Sequence, residues 1–232
     1  MGCQRLRTAQ LCHHRKCFRS RRETLRARRP RGPRRARSRF RRSAEPRGKI
    51  APMSVQDTAL LSVEEFLKLP DPPEGHIELH HGEVVVLPPP RRGHQRIQDR
   101  ITLLLKRLAG ASGVVQMEMA FRPTPEHTVW QADVACVSAA RDAATGDDEY
   151  LMDAPELVVE VLSPSNSMDE ILERQGICLA NGCVSFWTVD PKRQIVMVTT
   201  PDRRTVVFDR QSSLPLPEPL NGGIDVANVF SD

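Results

Sequence analysis

Aromatic side chains are scarce in this sequence: seven Phe, two Trp and one Tyr among 232 residues. A core with so few rings must be mostly aliphatic, and the Val, Leu and Ile runs of residues 53–232 can supply it. Long apolar runs are missing as well. No stretch of 18 or more apolar residues occurs, which excludes a membrane-spanning helix on length. No apolar segment follows the basic start, so a cleaved secretion signal is not expected and the cytoplasm is the expected compartment. Of six cysteines, Cys136, Cys178 and Cys183 sit among apolar neighbours and read as free core thiols. The other three, Cys3, Cys12 and Cys17, lie near the start. The run "CHHRKC" at 12–17 has no second ligand pair at finger spacing, so no zinc site is expected there.

Acid is what the first 52 residues lack. They hold 19 of the 34 Lys and Arg but only Glu23 and Glu45 of the 29 acids, a net of +17, which leaves residues 53–232 at −12. The pI near 9.1 therefore describes the tail. With too few large apolar residues to build a core, the tail is expected to be disordered. Three readings compete for it: non-specific phosphate binding, a transit peptide, or translation from a start codon upstream of the natural one. The abrupt change of composition at Met53 favours the third.

Residues 53–232 read as one domain of alternating helix and strand. "SVEEFLKLP" opens with a capping box, Ser62 with Glu65, and stops at Pro70. "HIELHHGEVVVLPPP" is a hairpin turning near His81-Gly82. In "RGHQRIQDRITLLLKRL", Ile97, Ile101, Leu104, Leu105 and Leu108 keep helical spacing. Strands are expected over 113–121 and 129–138, then a polar loop through "RDAATGDDEYLMDAPE", then a strand over 156–162. A helix over 168–180 follows, with Ser167 and Glu170 as its capping box and Asn181-Gly182 as its stop. "VSFWTVD", "QIVMVTT" and "RTVVFD" make a meander, and the C-terminal segment reads mostly as loop. The expected class is α/β (α+β): a mixed central sheet flanked by helices, with an N-terminal helix and β-hairpin.

Within "APELVVEVLSPSNSMDE" (154–170) a β-forming apolar run is interrupted by Glu160. A carboxylate buried there costs several kcal/mol, as an order of magnitude, unless something pairs with it. "QADVACV" presents Asp133 in the same way. Two such acids with a backbone carbonyl make an all-oxygen site suited to Mg²⁺ or Mn²⁺. The alternative is a structural ion pair between each acid and an arginine.

The combination of "ELVVEVLSPS" with "LANGCVSFWTVDP", and in order "LSVEEFLKLP", "IELHHGEVV", the "GH" before the long helix and "GGIDVANVF", resembles the bacterial Uma-two family of restriction endonucleases. That family belongs to the PD-(D/E)XK nuclease superfamily. The resemblance covers about residues 53–230 and none of the tail. It implies a restriction-endonuclease-like fold and Mg²⁺-dependent (or Mn²⁺-dependent) hydrolysis of phosphodiester bonds, with DNA as substrate and a homodimer as an admissible assembly. Asp133 would be the motif's Asp, with Ala132 where the family usually has Pro, and Glu160 its second acid. Glu78 in "IEL" would complete the metal shell, with the Val161 carbonyl as a further ligand. The E-x-K lysine is absent, since Leu162 occupies its place. The lysine that family members carry further on corresponds to Arg174, which can hold a carboxylate or phosphate but cannot act as a base. His94 is the candidate base. The alternative function is a nuclease fold that binds nucleic acid or a protein partner without cutting, favoured by Leu162, Arg174 and the net negative charge.

Overall fold

The computed structural model describes residues 60–124, 126–164 and 166–231. The basic tail with its cysteines, the CHHRKC run and Met53 lie outside the described residues. The described residues open with α1 (Val63–Phe66), whose capping box is made as expected: Glu65 N–H donates to Ser62 Oγ at 3.3 Å, and Ser62 N–H to the Glu65 carboxylate at 2.9 Å. The hairpin β1 (His76–His80) and β2 (Glu83–Leu87) turns through His81 (φ +52°) and Gly82 (φ +87°). Two successive left-handed residues match the twist of a two-residue hairpin. Gly82 also has to be small, because a Cβ there would meet Leu60 Cβ at 2.6 Å.

The long helix α2 (Arg92–Ala109) buries Ile97, Ile101 and Leu105. After it come β3 (Gly113–Arg122), β4 (Trp130–Ser138), a short α3 (Ala139–Ala144), β5 (Leu151–Met152) and β6 (Leu157–Val161). Helix α4 (Met168–Ala180) crosses over to β7 (Ser185–Asp190), followed by β8 (Ile195–Thr199) and β9 (Thr205–Phe208). Seven strands form one sheet in the order β5-β3-β4-β6-β7-β8-β9. Pairing is parallel for β3–β5 and β6–β7 and antiparallel elsewhere in it. The sheet is therefore mixed, with the α4 crossover supplying the β6–β7 parallel pair.

Each face of the sheet carries its own core. Ile97, Ile101 and Leu105 of α2 pack with Leu157, Val159, Val161, Trp187 and Val189 on one face. On the other, Ile171 and Cys178 of α4 pack with Ala135, Val158 and Phe186. Cys136, Cys178 and Cys183 are buried and unbridged, as their apolar contexts indicated. No described helix is long and apolar enough to cross a membrane.

Two stretches read as loop contain regular structure. In 141–156, α3 and β5 are anchored by Arg141, which donates to the carbonyls of Ala154 (3.0 Å) and Met152 (2.8 Å) and to Glu156 (2.8 Å). That anchor is tertiary, so local periodicity carries no trace of it. The C-terminal segment folds as β10 (Ser213–Pro215), β11 (Gly223–Asp225) and α5 (Val226–Val229), held because Leu214, Ile224, Val226 and Val229 close the α2-side core. These elements are too short to show a period.

Helix α4 carries a residue of the site described next, and its capping box is again complete: Glu170 N–H to Ser167 Oγ at 3.1 Å and Ser167 N–H to Glu170 at 3.0 Å. Replacing Ser167 by Ala is expected to cost about 1 kcal/mol of stability, read as a lower urea midpoint at unchanged slope. An unchanged midpoint would mean that sheet packing alone holds the helix.

Candidate active site

All five residues of β6 are buried. Strand alternation sends Leu157, Val159 and Val161 to the α2 side and Val158 to the α4 side, so Glu160 faces α4 as well. There Arg174 meets it. Arg174 Nη1 donates to Glu160 Oε1 at 3.0 Å and to the Gln131 carbonyl at 3.1 Å, while Nη2 donates to Glu78 Oε2. The guanidinium also lies over the Trp130 ring, 5.0 Å from its centroid, a favourable place for a buried cation. Glu78 arrives from β1 because Leu79 and Val129 exchange two backbone hydrogen bonds of 2.9 Å, which tie the hairpin to the sheet.

The two acids that share Arg174 are not equivalent. Glu78 also accepts Gln131 N–H at 2.7 Å and lies 2.6 Å from His80 Nε2. Burial works against its charge, but Arg174, His80 and Gln131 together outweigh burial and hold Glu78 below the usual carboxylate value. For Glu160, burial is the largest effect and Arg174 only opposes it. The charges of Asp133 and Glu78 add to burial, and the carboxyl is pushed up from 4.5 to about 8. Arg174 lowers both acids, yet their net shifts are opposite because only Glu78 has further donors and Glu160 has like-charged neighbours.

Asp133 sits where the strand pleat breaks. The β3–β4 register runs Met117↔Val134 and Met119↔Ala132 but omits the pair between them, Glu118 and Asp133. Glu118 has φ +54°. On one side of the break Val115, Met117, Val134 and Cys136 face the α2 core. On the other side Met119, Phe121, Trp130 and Ala132 face the α4 core. Both strands roll over together, and β4 separates from β6 beyond the Val134↔Val159 pair.

The Asp133 carboxylate occupies that fork. Its Oδ2 accepts Val161 N–H at 2.6 Å, as a strand carbonyl would, and its Oδ1 lies 2.9 Å from His94 Nε2 and accepts Gln98 Nε2 at 2.9 Å. Leu162 N–H donates to Val189 on β7, so alternation leaves the Val161 carbonyl on the same side as its N–H, towards β4.

Of the residues expected from sequence, Glu78, Glu160 and Arg174 are joined by direct hydrogen bonds, and Asp133 lies close enough to raise Glu160. His94 contacts Asp133, while its Nδ1 is buried without a partner. Gln98, His80, Trp130 and Gln131 were not anticipated. Gln98 had a readable signal, a polar residue four positions after His94 inside the apolar stripe of Ile97, Ile101 and Leu105. The others depend on the hairpin docking and had none. A cavity of about 230 Å³ opens beside Glu78, walled by Phe66, Ile77, Trp130 and Tyr150.

The donors suit a hard cation. One guanidinium holds two carboxylates, and Asp133 stands nearby; with all three acids ionised and the His rings neutral, the cluster carries two uncompensated negative charges. Among the described residues no group of three or more His, Cys, Asp or Glu side chains is placed to hold a metal ion. A divalent ion would rest on two carboxylates and a backbone carbonyl, with water or phosphate completing its shell, a manner suited to Mg²⁺.

A carboxyl that binds its proton more tightly when folded makes stability fall as pH rises between its unfolded value, 4.5, and its folded value, about 8. The melting temperature is expected to decline across that window in metal-free buffer, and less so in Glu160→Gln. Parallel pH profiles for the two proteins would show that Glu160 is not the group responsible.

Comparison with known proteins agrees with this architecture. The model of the Uma2 family, described as "Putative restriction endonuclease", matches residues 63–228. Among solved structures, one described as a "putative nuclease belonging to DUF820" from Anabaena variabilis ATCC 29413 superposes with a TM-score of 0.64 at 23% identity, covering 73% of this chain and 97% of that one. At that identity the likeness is one of fold. No curated protein matches the chain.

Proposed function

The chain belongs to the Uma2 family of restriction-endonuclease-like proteins, and from that premise we propose that it is an endonuclease hydrolysing phosphodiester bonds of DNA with Mg²⁺ or Mn²⁺. The observation that carries the reading is the deficit of positive charge among Asp133, Glu160 and Glu78, placed where β4 and β6 diverge.

In this reading Asp133, Glu160 and the Val161 carbonyl would hold the ion, which when bound would supply Lewis acidity to the scissile phosphate and to a water. Val161 N–H, Gln98 and His94 fix the direction of the Asp133 carboxylate, the outer contacts a ligating acid needs. His94 Nδ1 is buried without a partner and its Nε2 is engaged by Asp133, so in this reading the imidazole serves to position Asp133 and is not the base. Arg174 aims Glu160 and blunts the repulsion between the acids. Both its Nη atoms are committed, and Glu78, 1% exposed with each oxygen accepting, anchors it. Arg174 does not serve as a base.

The rival reading is a nuclease fold without cutting. It draws support from Arg174 already compensating part of the Glu160 charge, and from Leu162 where a lysine would reach the phosphate.

Incubation with supercoiled plasmid separates the two. Nicking that requires Mg²⁺ or Mn²⁺ and falls at least 100-fold in both Asp133→Ala and Glu160→Ala supports the enzyme. Equal nicking by these variants would trace the activity to a contaminant. Millimolar Mn²⁺ is also expected to raise the melting temperature of wild type by several degrees and not that of Asp133→Ala. Arg174→Lys, which restores an ammonium group near Glu160, is expected to retain or raise nicking, whereas Arg174→Met lowers it at least 10-fold.

A further inference from the structure

The positive charge of residues 53–232 is concentrated in one place. Six of its 15 Lys and Arg, namely Arg91, Arg92, Arg96, Arg100, Lys106 and Arg107, fall within 17 residues that contain a single acid, Asp99. At 100° per residue, Arg92, Arg96, Arg100 and Arg107 of α2 share an arc of about 80°, opposite the buried Ile97, Ile101 and Leu105. Arg92, Arg96 and Arg107 are exposed and Arg100 is half-buried. Among the described residues, none of these six cations forms an ion pair with an acid.

This arrangement works against the helix itself. Arginines four apart repel one another, and those in the first turns oppose the positive end of the helix dipole. Helices α1 and α4 begin with capping boxes and acids in the first turn, but α2 has no acid there and no side-chain cap at Arg91. In the last turn Lys106 and Arg107 suit the dipole, but the fold gains nothing comparable from Arg92, Arg96 and Arg100. What they complement is an extended polyanion.

The first turn of α2 also reaches the candidate site, since His94 contacts Asp133. From Arg92 to Arg107 the helix rises about 22 Å, about the axial length of six base pairs.

We propose that the outer face of α2, Arg92–Arg96–Arg100–Arg107, grips the phosphate backbone of double-stranded DNA and brings the strand to Asp133. The choice of DNA rests on the nuclease reading; the anion-binding face does not. In an otherwise acidic domain this face supplies the local attraction that the net charge denies.

The test measures binding of the full chain to a 30-base-pair duplex by fluorescence anisotropy, in EDTA so that nothing is cut, as a function of salt. The slope of log affinity against log salt counts neutralised phosphates, and any contribution of residues 1–52 is common to every variant. Replacing Arg92, Arg96, Arg100 and Arg107 together by Gln is expected to reduce the slope by roughly 3 to 4. The control, Arg203→Gln with Arg204→Gln on the turn before β9, should leave it within half a unit. If the fourfold variant does not fold, the pairs Arg92→Gln/Arg96→Gln and Arg100→Gln/Arg107→Gln are each expected to lower it by roughly 2. A fourfold fall of less than two units, a pair fall of less than one, or an equal fall in the control overturns the proposal. Nicking is scored separately: a reduced slope without nicking keeps the DNA-binding face and removes the nuclease, and nicking with an unchanged slope does the reverse.

Discussion

A single guanidinium, Arg174, is asked to compensate two buried carboxylates while a third stands nearby. An isolated buried charge is costly, and a buried ion pair repays its desolvation only when geometry and extra hydrogen bonds are both good. Glu78 meets that condition, with donors from Arg174, Gln131 and His80. Glu160 does not, because its one donor is shared and its neighbours carry the same sign. The result is a centre of residual negative charge inside an otherwise close-packed sheet. Most of the geometry around it follows from the need to keep that centre supported without neutralising it.

The sheet supplies the support by a local failure of its own regularity. Where β3 and β4 skip the Glu118–Asp133 pair, both strands change the face they present, and the ladder between β4 and β6 ends at Val134↔Val159. A carboxylate then takes the place of a strand carbonyl opposite Val161 N–H. The hydrogen-bonding demand of the backbone is met, and an acid is held rigidly at the mouth of the fork. A regular pleat would have pointed Asp133 squarely into one core, where its charge could not be tolerated.

The same economy separates the helices. α1 and α4 obey the rules of capping and dipole complementarity, and α4 uses that stability to present Arg174 from a fixed position. α2 breaks those rules on its outer face while its inner face is regular enough to anchor the larger core. Departures from local preference thus cluster in two places: the acids at the strand fork and the arginines on the helix that ends there. Functional demands characteristically override local consistency in this way.

Residue order alone determined a good deal. Period-two and period-3.6 patterns located β1, β2, α2, β3, β4, β6, α4 and the β7–β9 meander, and both capping boxes were readable because their partners lie three residues apart. The anomaly at Glu160 was legible too, since a charge inside an apolar strand violates the pattern that surrounds it. Its partner, Arg174, was named only through the family resemblance and not by local pattern. Glu78 and Arg174 are 96 positions apart, and His94 and Asp133 are 39 apart. They meet only because the hairpin docks through Leu79 and Val129 and because β3 and β4 roll over at one pair. Local spacing encodes which face a residue takes within its own element. Which faces then converge depends on the register and docking of elements distant in sequence, and only the tertiary structure decides that.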